Sequence, residues 1–567
     1  MKKLLLCGLL ALAHGLPAHA QNTLTKTKTT ANEGPVTAAL APSSAAGFAA
    51  GITAAELRGY LTELASDAFE GRETGRPGQQ KAADYLTRQL AAMGLRGPMS
   101  DGESPFQQLY GVVKTTPTGP GMLLVGGLTF VGQRDFFRFG SSTFGTGSVP
   151  ADPVFRGYGI ETNRYNDYAG LPDVRGRDVI VLIGEPTSGS GRRLFADQKL
   201  SAAEQAAEDW RAFFRKAVVA RAKGARSLTV LSLFTTGSFR DLGREVGPAL
   251  AEPTVGLAAP VPQPSEAALL EQGPPSGISL LLTSAPMSLA LLGGIKIGVL
   301  QRYQTECYRL GQPVPVAFQP APFSVQFPEQ RQELASSNVL GFLEGTDKKD
   351  EVLVVSAHYD HLGVVHDTIY NGADDDGSGT SAVLALAHAF AAARAAGQGP
   401  RRSILFLLNS GEEEGLLGSE YYTGHPVFPL AQTVADLNID MVGRTDKAHQ
   451  GKPSYVYIIG SDRLSRELHG LSEATNAQTT HLRLDYAYNA PNDPEQLYYR
   501  SDHYNFARHR IPVIFYTSGL HADYHKATDD VDKIDFPILA ERAQLVFYTA
   551  WELANREQRI VVDTNKP

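Results

Sequence analysis

From about residue 335 onward the chain repeats one pattern: a short run of apolar β-formers, a polar loop, then apolar positions at helical spacing. Val352-Leu353-Val354-Val355, Ile404-Leu405-Phe406-Leu407-Leu408, Tyr455–Ile459 and Val513–Tyr516 read as buried strands. Ser381–Ala393, Gly415–Tyr422 and Phe536–Ala554 read as helices. Apolar strands separated by amphipathic helices imply an α/β fold, a mixed and mostly parallel sheet flanked by helices on both faces. Residues 54–95 carry two further helical patterns, clearest over Ala82–Leu90 and closed by Gly94.

The texture changes near residue 130. Val154–Ile160 and Val179–Ile183 are strand-like runs set among Gly and Pro, and an Ala-rich helix follows around Lys216–Lys223. The stretch 130–334 therefore reads as an inserted β-rich module with at least one helix. Its far side, with Pro-rich passages at Pro260–Pro275 and Pro313–Pro328, resists assignment. The chain outside it falls into 53–129 and 335–560.

Ahead of it, Lys2 and Lys3, the apolar stretch Leu4–Leu16 and Ala18-His19-Ala20 before Gln21 form a signal-peptide pattern over 1–20. That stretch is short of the roughly 20 residues a membrane span needs. The expectation is export to the periplasm or the exterior, with no membrane span after the signal is removed. Residues 21–52, rich in Thr, Ala, Ser and Gly, read as a flexible linker, with order beginning near Ala54. Of the two cysteines, Cys7 lies in the segment expected to be lost, so Cys307 has no intrachain partner.

Composition narrows the function classes. The chain of 567 residues has 43% hydrophobic and 20% charged residues, ordinary for a globular protein. Its 52 basic against 60 acidic residues give a formal charge of −8, which removal of Lys2 and Lys3 takes to −10. A nucleic-acid partner is disfavoured, because such proteins concentrate positive charge.

In open α/β sheets ligands bind beyond the carboxyl ends of the strands, so the residues there carry the chemistry. The first strand runs into His358-Tyr359-Asp360-His361, the second into Glu412-Glu413-Glu414, the segment Ala435–Ile439 into Asp440, and Val513–Tyr516 toward Asp523-Tyr524-His525. Asp374-Asp375-Asp376 stand at a helix start. Packing so many acids together away from water is unfavourable unless cations neutralise them. Mixed imidazole and carboxylate donors suit zinc, and two His with several Asp and Glu can hold a pair of metals bridged by one carboxylate. Singly, His358 could be a core histidine, the Asp run a helix cap, and the Glu run a solvated turn; their joint placement speaks against that. His361, His503 and His521 read as supporting or surface groups.

These blocks resemble the zinc exopeptidase family that includes the bacterial leucyl and aminopeptidase S and Y enzymes, glutamate carboxypeptidase II and the transferrin receptor. The resemblance is carried by His358-Tyr359-Asp360, Gly372–Gly379, Gly411–Ser419, Leu437–Asp440, Ser501-Asp502-His503 and Tyr524-His525, and more weakly by Glu70-Gly71-Arg72. It implies two zinc ions, with Co2+ or Mn2+ as possible substitutes: Asp375 bridges them, His358 and Asp440 complete one site, and Glu413 and His525 the other. It makes Glu412 the general base acting on a metal-bridging hydroxide, Asp360 the residue that orients His358, and the Asp375–Asp376 peptide cis. Tyr524 is either an oxyanion donor or a packing partner of His525. Gly157-Tyr158-Gly159, Tyr165-Asn166-Asp167-Tyr168 and Val174-Arg175-Gly176 make the insertion resemble a protease-associated domain.

The expectation is an exported metallopeptidase acting on peptides, foremost an aminopeptidase. A carboxypeptidase or dipeptidase for acidic peptides is the alternative, needing a cation such as Arg500 or Arg508 for a substrate carboxylate. A non-catalytic, metal-bearing binding protein is the third reading. No GxSxG elbow supports a serine hydrolase, and no HExxH helix a thermolysin-type site.

Overall fold

The computed structural model describes residues 43–100, 104–139, 149–151, 153–195, 202–233, 236–259, 261, 278–316, 318–491 and 493–564. The signal-peptide pattern and the linker up to residue 42 lie outside them. The described chain forms two compact units, one of Tyr110–Ala335 and one joining 43–109 to 336–564. No described helix is long and apolar enough to cross a membrane.

The second unit is built on seven strands: β1 (Glu329–Leu343, of which 336–343 belong here), β2 (Lys348–His358), β3 (Arg402–Asn409), β4 (Thr433–Ile439), β5 (Tyr455–Ile459), β6 (Arg483–Asp485) and β7 (Val513–Thr517). They lie side by side in the order β6-β5-β7-β4-β2-β3-β1. The pairs β2–β3, β2–β4, β4–β7 and β5–β6 are parallel, and β1–β3 and β5–β7 antiparallel. The mixed, mostly parallel sheet is thus the one the strand pattern implies. From β2 the chain moves to β3 on one side and then to β4 on the other, so the end of β2 is a switch point where a ligand crevice opens.

Alternation along each strand feeds two cores. Leu353, Val355, Phe406, Leu408, Leu437 and Ile439 pack into one cluster with the helices Ala54–Leu64, Pro77–Ala92, Gly379–Ala395 and Phe536–Asn555. Val352, Val354, Leu405, Leu407, Val513 and Phe515 pack on the other face with Tyr422, Tyr498 and Phe506. Because both faces are covered, the central strands read as continuous apolar runs. Order begins earlier than residue 54: Ser43–Ala49 is helical, with Ala45 and Ala49 in the first core. Ala45, Ala49 and the partly buried Phe48 are too sparse a set of apolar contacts to stand out in a Thr/Ala-rich stretch.

The unit Tyr110–Ala335 contains a sheet in which Pro153–Phe155, Asp178–Leu182, Ser227–Leu231 and Ser279–Thr283 run parallel, with Phe136–Phe139 antiparallel at its edge. A separate four-stranded sheet holds Met122–Val125, Leu128–Val131, Val149–Ala151 and Phe323–Gln326. Four helices, Ala202–Ala222, Thr236–Ala251, Ala285–Leu291 and Ile297–Leu310, accompany them. The module is thus more helical than its strand-like runs announced. Its division begins at Tyr110, where the sequence texture changes only near 130. Cys307 is buried and unbridged.

Candidate active site

His358 is the last residue of β2, and Asp375 follows the left-handed Gly372 in the loop that opens the helix Gly379–Ala395. Glu412 and Glu413 follow β3, Asp440 follows β4, and His525 ends the loop after β7. The candidates that the sequence singles out therefore converge at the switch point. Two lie in left-handed backbone or beside it: His525 has φ 55° and Met441, next to Asp440, φ 59°. Non-glycine residues accept that conformation at a cost and concentrate at functional sites.

Asp375 faces two ways. Its Oδ1 is 3.4 Å from His358 Nε2, which is also 3.6 Å from Asp440 Oδ1. Its Oδ2 is 3.0 Å from His525 Nε2, which is 3.1 Å from Glu413 Oε2. Donor atoms about 2.0–2.1 Å from a tetrahedral zinc stand about 3.3 Å apart, and these spacings bracket that figure. His358 Nε2 and Asp375 Oδ2 are also buried without a hydrogen-bond partner among the described residues, as atoms aimed at an ion are. The residues fit a metal.

The three consecutive aspartates divide their work. Asp376 Oδ1 accepts the amides of Gly379 and Met441, both at 2.9 Å, and Oδ2 accepts that of His358 at 3.3 Å. Asp374 Oδ1 accepts the Gly443 amide at 2.6 Å, and Oδ2 is 3.1 Å from His521 Nε2. His358, Asp376 and Asp440 also lie close enough together to be counted as a donor group. With both oxygens engaged by amides, Asp376 acts as the helix cap, and Asp375 is the aspartate that faces both His358 and His525. The Asp375–Asp376 peptide is cis.

Electrostatics tell the same story. Burial works against the His358 imidazolium, yet Asp440, Asp360 and Asp375 hold its pKa well above the ordinary value. His525 is raised to about 9 against its burial, by Glu413 and Asp375. Burial raises Asp375 and Glu413, but their imidazole partners carry both below the usual carboxylate range. A buried nest that recruits protons this strongly is one that accommodates cations.

Asp360 supports the site in more ways than one. His358 Nδ1 is 3.2 Å from the Asp360 carbonyl oxygen and 3.6 Å from its carboxylate. The carboxylate accepts the Glu412 amide at 3.2 Å and the Thr74 hydroxyl at 2.9 Å, so it ties the base-bearing loop to the strand end. Glu412 Oε2 lies 4.0 Å from His358 Nε2. Tyr524 stacks on His525 with ring centroids 3.9 Å apart, and its hydroxyl accepts from Arg500 at 3.3 Å.

His361, His503 and His521 are all buried. His361 reaches Glu413 and His521 reaches Asp374, whereas His503 stacks on Phe515 and takes no part. Sequence reasoning missed Thr74 and Asp529, whose Oδ2 accepts the amides of Asp374 and Asp375 at 3.0 and 3.1 Å. Neither stands in a motif that could have announced it.

A crevice at a sheet switch point, lined by two imidazole and carboxylate groupings that share one aspartate, defines a metal-dependent hydrolase. Residues 338–550 match the sequence model of Peptidase family M28. Over that span the sequence is similar to this family. It is 25% identical over 366 residues to a probable zinc metalloprotease of Leptosphaeria maculans, covering 55% of this chain and 82% of the relative. It is 32% identical over 214 residues to a probable leucine aminopeptidase of Arthroderma otae, covering 36% of this chain and 55% of the relative. An aminopeptidase structure from Aneurinibacillus sp. strain AM-1 aligns with 92% of this chain and 100% of its own at 17% identity and a TM-score of 0.47.

Proposed function

We propose that the protein is an exported zinc aminopeptidase that works with two metal ions. The observation that carries this reading is the two-sided Asp375, with one oxygen toward His358 and Asp440 and the other toward His525 and Glu413. Zinc is supported by the donor set and by the relative described as a probable zinc metalloprotease. When bound, zinc polarises the scissile carbonyl and lowers the pKa of the attacking water.

Glu412 takes the proton of that water and returns one to the leaving amine. Its amide is pinned by Asp360, which holds the base against the end of β2. The Tyr524 hydroxyl, itself held by Arg500, donates to the oxyanion. Burial raises the Tyr524 pKa well above its ordinary value, so the phenol keeps its proton to donate. The free α-amine of a peptide meets the acidic lining of the crevice, which favours trimming from the amino end. Export rests on the segment 1–20, and the protease-associated reading of the insertion on its three short motifs.

Arg500 beside Tyr524 supports a second reading, a carboxypeptidase that pairs the guanidinium with a substrate carboxylate. Peptides free or acetylated at the amino end, incubated with zinc-loaded protein and followed by mass spectrometry, separate the two. Stepwise loss of amino-terminal residues from the free set alone is the expected result. Loss from the carboxyl end of blocked peptides would replace the aminopeptidase with the carboxypeptidase, and no cleavage of either set would leave a binding protein.

A further inference from the structure

His361 stands three residues beyond His358 at the rim of β2, with its side chain wholly buried. Its Nδ1 is 2.8 Å from Glu413 Oε1. An ionised carboxylate only accepts, so the ring nitrogen is the donor in this pair. The other oxygen of the same carboxylate, Oε2, faces His525 Nε2 at 3.1 Å. Glu413 is therefore gripped on one oxygen and presented on the other.

His361, Asp375 and Glu413 lie close enough together to be counted as a donor group, and His361 Nε2 is buried without a hydrogen-bond partner among the described residues; it is the distances that separate the two imidazoles by role. His525 Nε2 lies 3.0 and 3.1 Å from Asp375 Oδ2 and Glu413 Oε2, the spacing of donors that share an ion. His361 Nδ1 lies 3.9 Å from Asp375 Oδ2 but at hydrogen-bond distance from Glu413. The ring cannot swing away. A Cβ added to Gly372 would fall 2.4 Å from its Cγ and 2.5 Å from its Cδ2, so the bare glycine backbone forms its floor. On the other side the His525 ring stands edge to face, with centroids 5.9 Å apart.

We propose that His361 is a positioning residue for the second metal: by donating to Glu413 Oε1 it leaves Oε2 alone to bind and so sets the affinity of that ion. A carboxylate held in this way is already oriented before the ion arrives, and partners of this kind are worth roughly 10- to 100-fold in metal affinity. The inference rests on the two-ion reading above.

Two substitutions divide the possibilities. His361→Phe keeps a ring on Gly372 and removes the donor; His361→Asn keeps an amide N–H near the place of Nδ1–H and removes most of the ring. Wild type and both variants are equilibrated across a series of chelator-buffered free-zinc concentrations, and bound zinc per chain is counted by atomic absorption. Wild type should bind two ions in two steps. His361→Phe should weaken one step by roughly 10- to 100-fold and leave the other unchanged, while His361→Asn recovers most of that loss. Equal loss in both variants would make His361 a ligand, and loss in His361→Asn alone would make it a packing group; either result overturns the proposal. Unaltered binding in both variants also overturns it while sparing the two-ion reading. A wild-type protein that binds a single zinc would remove both.

Discussion

The guanidinium of Arg72 donates to the carbonyl of Gly372, 300 residues further along the chain, at 2.9 Å. It also donates to Tyr359, Leu64 and Asn371 carbonyls at 2.7, 2.6 and 2.7 Å. One buried cation thus stitches the strand end that carries His358 to the loop that carries Asp375. Burial lowers its pKa to about 10, with Asp360, Asp376 and Asp529 pulling the other way, so it stays charged. Arg72→Met takes a donor from four carbonyls, of which only that of Gly372 keeps another partner among the described residues, the Gly377 amide, and should cost at least about 3 kcal/mol. Thermal unfolding of the metal-free variant should fall by roughly 6–12 °C; an unchanged midpoint would remove the stitch.

Asp375→Asn and Glu412→Gln should fail in different ways. Losing the shared carboxylate charge should weaken both ions, seen as less than one zinc per chain after dialysis. Losing the base should leave zinc content at the wild-type level while kcat falls about 10²- to 10⁴-fold. Normal zinc and turnover in Asp375→Asn would rule out bridging, and a Glu412→Gln variant near wild-type rate would move the base elsewhere.

Tyr524→Phe keeps the stacking on His525 and removes the hydroxyl held by Arg500. If that hydroxyl steadies the oxyanion, kcat should drop about 10²- to 10³-fold with KM little changed. Zinc content should not move. Wild-type kcat would confine Tyr524 to packing.

In the other unit, Lys216 donates to the carbonyls of Tyr158 and Gly184 from within the core. Burial pulls its pKa down to about 8, and nearby Asp167 only partly restores it. An unfolded lysine titrates near 10.4, so between about pH 8 and 10 the unfolded chain holds more protons than the folded one. Stability contributed by this residue must therefore rise with pH across that window, by up to about 3 kcal/mol. Urea unfolding in a Trp551→Phe background leaves Trp210, on the same helix as Lys216, as the reporter. The rise should be present with Lys216 and flattened in Lys216→Met; equal slopes in the two would place the shift elsewhere.

Much of the candidate site is legible because its residues sit where apolar runs stop. His358, Glu412 and Glu413 follow runs of Val, Ile, Leu and Phe that read as buried strands, and Asp440 follows the more polar segment Ala435–Ile439. Asp375 could be told from Asp374 and Asp376 only by resemblance, since three identical side chains in a row hide which one is capped by amides. That His361 supports Glu413 in particular is not legible, because the two lie 52 residues apart and no local pattern reports such a pairing. The helix Ser43–Ala49 and the helical content of Tyr110–Ala335 escaped for another reason: small residues and Gly/Pro-broken segments carry too little periodicity to outweigh their loop-like composition.

Splitting the α/β unit around Tyr110–Ala335 also imposes an order of events. A chain emerging from its amino end exposes Arg72 long before Tyr359, Asn371 and Gly372 exist to accept its hydrogen bonds. At 5–20 residues per second the wait is roughly 15–60 s. During it the helices Ala54–Leu64 and Pro77–Ala92 have apolar faces with no sheet to cover. Until the first central strand arrives, the amino-terminal piece holds apolar helix faces that nothing else in its own unit yet covers.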